Sequence, residues 1–465
     1  MIEYSSIKRI HFVGIGGSGM SGIAEVLHNM GFEISGSDLA ASNSVNRLRS
    51  LGITVYLGHN NNNVKDVETL VYSSAISSDN VEVQVAREKK IPVISRAEML
   101  AELMRLKFSI AVAGTHGKTT TTSIISSILS TAGKDPTFVV GGKLKIEESG
   151  AKLGKSTYLI AEADESDGSF LKLFPTIAVI TNIEDDHIDH YKSMDNLLVA
   201  FEEFCNKVPF YGSVIINSDC ENSKIIIPNL NKRVVSYGTT GNPVFKASRV
   251  RGALFQSSFD LIMNGKNQGR VELNVGGLHN VMNSLAAIAA AHEIGLEIPV
   301  IQEGLKRFFL PERRFQVLFY NQTNLVVDDY AHHPTEITAT VNTLKSGQFK
   351  RLFVIFQPHR FTRLKLLADK FAEAFPGVDK LIVSKLYSAG QKQIENVSSR
   401  LLVDKIRKSG PIDVRFIETF DEIFEYLKGE LKDGDAIAFL SAGDLTRLAH
   451  KFAKWLEGSE KMQGK

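Results

Sequence analysis

Cysteine is nearly absent. Cys205 and Cys220 are the two in 465 residues, too few for a disulfide framework or a four-thiolate zinc site, and both read as inert core thiols of a reducing compartment. Proline is also scarce, at 12 residues. With 43% hydrophobic and 23% charged residues, that excludes a disordered or fibrous chain. An excess of charge is missing too: 54 Lys and Arg against 52 Asp and Glu leave +2, so there is no basic field of the kind that holds nonspecific nucleic-acid binders on phosphate. Nowhere do about 18 apolar residues run unbroken, the length that a membrane span needs. The apolar start after Lys8 and Arg9 is interrupted by His11 and glycines, unlike a secretory leader. The expectation is a cytoplasmic protein with no nucleic-acid partner and no membrane insertion.

What is present is a strand, a glycine turn and a helix, repeated. At roughly 150 residues per domain the length suggests about three domains. Ile7 to Val13 reads as a buried strand, followed by a helix from about Ser18 to Met30 that Gly31 closes. Segments 33–38, 53–58 and 69–76 read as further strands, an alternation that argues for a parallel sheet. Asn60 to Asn63 reads as a polar loop. A second cycle opens with FSIAVAG (Phe108 to Gly114), which puts a domain boundary at 107. The helical run Leu278 to Gly295 and the charged turn Pro311 to Arg314 put the next boundary at 312. Beyond it, NLVVDDYA, RLFVIFQPHR, KLIVSK and DAIAFLSAGD read as parallel strands of a third α/β domain. The domains are therefore 1–107, 108–312 and 313–465, with no solenoid-length repeat.

Three constellations carry chemistry. Gly14, Gly16 and Gly19 form G-x-G-x-x-G, with Asp38 19 residues beyond Gly19. Between a strand and a helix this pattern admits a pyrophosphate at the helix start and an acid for a ribose hydroxyl, or else simple helix–sheet packing. It does not say which nucleotide. GTHGKTTTT, Gly114 to Thr122, is a phosphate loop: Lys118 can reach outer phosphates, Thr119 can offer a hydroxyl to Mg²⁺, and the amides of Gly117 to Thr120 can cradle oxygens. It is shorter than the common form, since position 112 is valine. Glu162, directly after the apolar run Tyr158 to Ala161, stands where phosphate-loop enzymes place the acid that holds Mg²⁺, with Asp164, Glu165 and Asp167 crowding the same turn. His187 and His190 end the next strand. Beside Glu162, a ligand role for His187 outweighs that of an ordinary hydrogen-bonded histidine.

The third constellation lies in the last domain. DDYAHHP (Asp328 to Pro334) brings Tyr330 and His332 to a strand end, and FQPHRFTR (Phe356 to Arg363) brings Arg360 and Arg363, three apart. Guanidinium forks in that arrangement suit a carboxylate or a phosphate.

These stretches, together with SRAEMLAELMR, EADESDGSFL, TNIEDDHIDHY and GLHNVMNSLAAIAA, occur in the order found in the Mur ligases of peptidoglycan synthesis, and the whole chain resembles that family. The resemblance implies three α/β domains: Rossmann-like at the N-terminus for a UDP-sugar, a central P-loop ATPase-like parallel sheet for ATP, and Rossmann-like at the C-terminus for the amino acid. It implies that L-alanine is joined to the lactyl carboxylate of UDP-N-acetylmuramate through an acyl phosphate, with ATP as co-substrate and Mg²⁺, or Mn²⁺ in its place, as the metal. By the same resemblance Gly114, Thr115, His116, Gly117, Lys118, Thr119 and Thr120, with Asn280, Asn283 and Arg314, hold ATP. Gly16, Gly17, Ser18, Gly19, Met20, Ser37, Asp38, Ser74, Ala75 and Ile76 hold the UDP moiety. Tyr330, His332, Arg360 and Arg363 hold L-alanine; Thr119, Glu162 and His187 hold the metal; Lys118, Glu162, His187, His332 and Arg360 act in catalysis.

Several sister ligases carry a carbamylated lysine about 15 residues beyond the histidine that matches His187. Here that position is Glu202, either a built-in carboxylate or an ordinary surface glutamate. The alternatives are a ligase joining a muramyl tripeptide to the same sugar nucleotide in wall recycling, an NAD(P) dehydrogenase that would leave Lys118 idle, and a nucleotide-gated binding protein that would leave Arg360 and Arg363 without a substrate. The expected state is a monomer or weak homodimer.

Overall fold

A computed structural model describes residues 7–140 and 151–463. The first sheet holds β1 (Arg9–Val13), β2 (Glu33–Asp38), β3 (Thr54–Leu57), β4 (Thr69–Tyr72) and β5 (Val93–Ser95), in the order β3-β2-β1-β4-β5 with every neighbour parallel. Strand order reverses between β1 and β4, and open sheets bind ligands beside such a reversal. The loops leaving those two strands carry Gly14–Gly19 and Ser73–Ile76. The fourth strand is shorter than its sequence reads: it stops at Tyr72, and the Ile76 amide turns back to the Ser73 carbonyl at 2.9 Å. β5 was not legible, because three half-buried residues show no alternation.

The second sheet runs β15-β14-β13-β12-β11-β10-β6-β9-β7-β8. Its strands are β6 (Phe108–Ala113), β7 (Thr137–Val139), β8 (Ala151–Lys152), β9 (Tyr158–Glu162), β10 (Ile177–Ile180), β11 (Ser213–Asn217), β12 (Val234–Gly238), β13 (Phe245–Gly252), β14 (Ser257–Met263) and β15 (Lys266–Leu273). β6 is parallel to both β9 and β10, so three carboxyl ends open side by side, while the short β7–β8 pair at one edge is antiparallel. The helix Lys118–Thr131 after β6 has ten buried residues although β-branched threonines fill its first turns. Threonine is a poor helix former; tertiary burial decides here. Helix Ile298–Lys306 comes so close that a Cβ on Gly304 would lie 2.6 Å from the Ile128 Cα, and Ser127 donates to the Gly304 carbonyl at 3.2 Å.

The third sheet comprises β16 (Gln316–Tyr320), β17 (Leu325–Asp329), β18 (Arg351–Phe356), β19 (Lys380–Val383), β20 (Asp413–Phe416) and β21 (Asp435–Leu440), ordered β16-β17-β21-β18-β19-β20. The four strands read from sequence are parallel, while β16 pairs antiparallel at one edge. The fold is thus α/β throughout. The chain divides into two compact units, one of Met1–Ala247, Leu261–Gln268 and Met282–Phe308, the other of Ser248–Asp260, Gly269–Val281 and Phe309–Lys465. Among the described residues no helix is long and apolar enough to cross a membrane. Cys205 is buried as read, and burial raises its thiol pKa. Cys220 departs from the core reading: it is half-buried, and its sulfur accepts from the Ile183 amide at 3.4 Å.

Candidate active site

At the first glycine loop the Gly16 amide donates to Asp38 Oδ2 at 2.8 Å, which ties the turn after β1 to the end of β2. Gly14 adopts φ +77, and a Cβ there would meet Ser73 and Ile76 of the loop after β4. Gly17, Ser74 and Ala75 are exposed and Met20 is buried. Ser37 is fully buried with its hydroxyl on Glu82 and on His59 Nδ1 at 2.9 Å, so its side chain serves a buried network. That network is wide: Glu82 accepts from the Asn60 amide at 3.1 Å and the Asn63 amide group at 2.6 Å, and His11 lies 3.7 Å away. Burial disfavours the Glu82 charge, but His11, Ser37, Asn63 and Asn60 outweigh it and hold the carboxyl down to about 2.

At the second loop, Gly114 (φ +129) and Gly117 (φ +81) take conformations that side chains rarely adopt. A Cβ on Gly114 would collide with the Thr181 hydroxyl, and one on Gly117 with the Asn283 amide oxygen. The loop is braced from the segment after β10: the His116 amide donates to Asn182 Oδ1 at 2.9 Å, and the Glu184 amide donates to the Thr115 hydroxyl at 2.8 Å. Asn283 accepts from the Thr121 hydroxyl at 3.3 Å, while Asn280 donates to the Gly276 carbonyl at 2.7 Å. Thr119 and Thr120 are buried in the first turn.

The Lys118 ammonium donates to the Gly114 carbonyl at 2.6 Å and to both oxygens of Glu165 at 2.9 and 2.8 Å. Burial opposes the lysine charge, but Glu165, Asp164 and Glu162 raise its pKa above the usual range. Burial pushes Glu165 up to about 7, against the pull of Lys118. Sequence reading did not single out Glu165 from its acidic turn. The only signal was four carboxylates in six residues, which does not say which one turns inward. Its backbone is pinned, since the Tyr191 hydroxyl donates to the Glu165 carbonyl at 2.5 Å.

Glu162 ends β9 in register with Val112 of β6, and its Oε1 is buried with no hydrogen-bond partner among the described residues. His187 has φ +59, an uncommon value for a non-glycine residue, and its Nε2 lies 3.9 Å from Glu165 and 3.5 Å from Asp186. The structure therefore gathers Lys118, Glu165 and His187. His190 is exposed, against Tyr191. Glu202 accepts from the Asn229 amide at 3.0 Å, which spends the carboxylate away from the loop.

In the last sheet, His332 Nδ1 lies 2.8 Å from the Tyr330 carbonyl and 3.2 Å from Glu336. A carbonyl only accepts, so Nδ1 carries a proton, and in the neutral ring Nε2 holds the lone pair. Arg313 and Arg314 stack over the Tyr330 ring at 4.9 and 5.1 Å. Burial pushes Asp329 up to about 6, with Arg314 opposing. Arg360 has φ +69 at the N-cap of helix Phe361–Glu373, and its guanidinium has no partner among the described residues. Arg363, one turn on, is buried with an N–H toward His359 Nδ1 at 3.2 Å. The two arginines are therefore unequal, one available and one packed.

Comparisons with known proteins agree along the whole length. Residues 9–108 match the Mur ligase family catalytic domain, 112–291 the Mur ligase middle domain and 313–443 the Mur ligase glutamate ligase domain. The chain is 48% identical to the UDP-N-acetylmuramate–L-alanine ligase of Geotalea daltonii over 97% of this chain and 99% of that protein. It is 46% identical to that of Trichlorobacter lovleyi over 97% and 100%. Among solved structures it resembles the UDP-N-acetylmuramate–alanine ligase of Thermotoga maritima with a TM-score of 0.82 and 28% identity, covering 97% of this chain and 100% of that one. A murein peptide ligase of Psychrobacter arcticus gives 0.70 at 24% identity, over 96% and 98%, a likeness of fold.

Proposed function

The chain belongs to the Mur ligase family, and we propose that it is the member that joins L-alanine to the lactyl carboxylate of UDP-N-acetylmuramate at the expense of ATP, in peptidoglycan precursor synthesis. The observation that carries this reading is near-full-length identity close to one half with ligases of that specificity. The tripeptide alternative has a weaker likeness behind it, 30% identity over 66% of the chain with the tripeptide ligase of Neisseria meningitides.

We assign residues 1–107 to the sugar nucleotide, 108–312 to ATP and 313–465 to the amino acid. Gly16 to Met20, Ser37, Asp38 and Ser74 to Ile76 line the UDP site. Gly114 to Thr120, Asn280, Asn283 and Arg314 serve ATP. A lactyl oxygen attacks the γ-phosphorus, the bond to the ADP oxygen breaks, and an acyl phosphate remains. The alanine nitrogen then attacks the acyl carbon, His332 Nε2 takes its proton, and phosphate leaves as the amide forms. Lys118 holds charge on the transferring phosphoryl oxygens. The protein works without membrane insertion, in the cytoplasm.

Mg²⁺ fits the donor set. A buried carboxylate oxygen without a partner on Glu162, and the Thr119 hydroxyl in the first helical turn, are the hard oxygen ligands that it takes. The His187 imidazole would complete the set and makes Mn²⁺ the alternative ion. When bound, the ion would neutralise phosphate charge. Glu162→Gln is expected to raise the Mg²⁺ needed for half-maximal activity by roughly one to two powers of ten. An unchanged titration curve would make Glu162 structural.

The function itself is tested by omission. ADP and phosphate release should require UDP-N-acetylmuramate, L-alanine and Mg²⁺ together, with the alanyl product found by mass. Release without the sugar nucleotide, or a product formed only with a tripeptide, would refute the assignment.

A further inference from the structure

The third glycine of a G-x-G-x-x-G loop commonly lets its helix approach the sheet. Here it makes room for something else. A Cβ on Gly19 would lie 2.9 Å from Arg96 Nη1 and 3.3 Å from its Cδ. Arg96 opens the helix Arg96–Arg105, inside the SRAEMLAELMR stretch to which the assignment above gives no role. The helix start is fixed: Ser95 and Glu98 form a capping box, and Lys172 reaches across to Glu98 at 3.2 Å and to the Ser95 hydroxyl at 3.1 Å.

The Arg96 side chain is 20% exposed, yet its guanidinium has no hydrogen-bond partner among the described residues. Its one ionic neighbour is Asp164 Oδ2 at 3.7 Å, beyond hydrogen-bond reach. Its five N–H donors have no acceptor within hydrogen-bond reach among the described residues, and a guanidinium fork matches oxyanions. Its position is also specific. On one side it touches the glycine loop of the first domain, and on the other it faces Asp164, next to the Glu165 that holds Lys118.

We propose that Arg96 binds an anionic oxygen of the sugar nucleotide as that substrate passes from the first glycine loop toward the second. The proposal rests on the ligase reading above. Two oxyanions of the substrate share this chemistry, the diphosphate and the lactyl carboxylate.

Calorimetric binding of UDP, UDP-N-acetylglucosamine and UDP-N-acetylmuramate to the native chain and to Arg96→Gln tests it, with ADP as the control ligand for the other loop. The variant should bind UDP-N-acetylmuramate roughly ten- to a hundredfold more weakly, the span of one charged hydrogen bond, with ADP unchanged. An equal loss for all three uridine ligands assigns the diphosphate. A loss confined to UDP-N-acetylmuramate assigns the carboxylate, which the glucosamine analogue lacks. Affinity within twofold of native, or an equal fall for ADP, overturns the proposal. If the glutamine variant does not fold, Arg96→Lys takes its place: it keeps the charge and loses the fork, so weaker binding supports the proposal and native binding overturns it. Native turnover measured alongside separates failure of this proposal from failure of the ligase reading.

Discussion

Lys118→Ala should turn over at less than about one hundredth of the native rate, a loss exceeding roughly 3 kcal/mol of transition-state stabilisation, while UDP-N-acetylmuramate still binds. The lysine is the one ammonium held in the glycine loop, bonded to the Gly114 carbonyl and both oxygens of Glu165. The first glycine loop has its own acid, Asp38, and nothing in its bonding draws on Lys118. Removing one member of a buried ion pair usually costs several kcal/mol, because the partner is left charged. Burial already raises Glu165 to about 7, so without its lysine it takes up a proton at neutral pH instead of standing as an unpaired anion. The sign follows from that upward shift. The protonated form is favoured by the fold, so the variant should be most stable below the ordinary carboxylate pKa and lose stability as pH rises through that of buried Glu165. Rapid-quench turnover, sugar-nucleotide binding and thermal melting across pH check the three parts. Near-native turnover would take the loop out of the mechanism.

Arg360→Ala should raise the KM for L-alanine by roughly one to two powers of ten and leave the KM for ATP nearly unchanged, since one charged hydrogen bond is worth about 1.5 to 3 kcal/mol. Sequence spacing makes Arg360 and Arg363 a matched pair, but the structure does not. Arg360 sits at φ +69 with its guanidinium unpartnered among the described residues, whereas Arg363 is packed against His359. A non-glycine residue at positive φ is strained, and such strain gathers at functional positions. The larger KM effect should therefore belong to Arg360; Arg363→Ala should act mainly on stability. L-Alaninamide, without the carboxylate, should fail as a substrate, and glycine should be a poor one, because a methyl group discriminates by only about 1 to 3 kcal/mol. Use of the amide as readily as the acid would mean that Arg360 binds something else, most simply a phosphate.

Much of this was legible because parallel strands with both faces covered are apolar runs ending in functional loops. YLIAE, FSIAVAG and TIAVI stand next to one another as β9, β6 and β10, which brings Glu162 to the loop of Lys118. Edge strands escaped for the opposite reason: β5 is half-buried throughout, and β16 mixes buried, half-buried and exposed positions without a period. Side-chain partners escaped because they depend on rotamers and distant contacts. No spacing rule tells Glu165 from Asp164 or Asp167. None shows that Ser37 turns to Glu82, 45 residues away, or that Glu202 turns to Asn229.

The bond between Lys118 and Glu165 also changes what nucleotide binding means for this loop. The ammonium is already bonded to Glu165, so a triphosphate bound by Lys118, as proposed, would not meet an open positive site. It displaces one resident anion, and the gain is the difference between two ion pairs, smaller than a count of charges suggests. On the proposed assignment that exchange would take place at a largely buried ammonium, which salt screens less than it screens a lysine exposed on a surface.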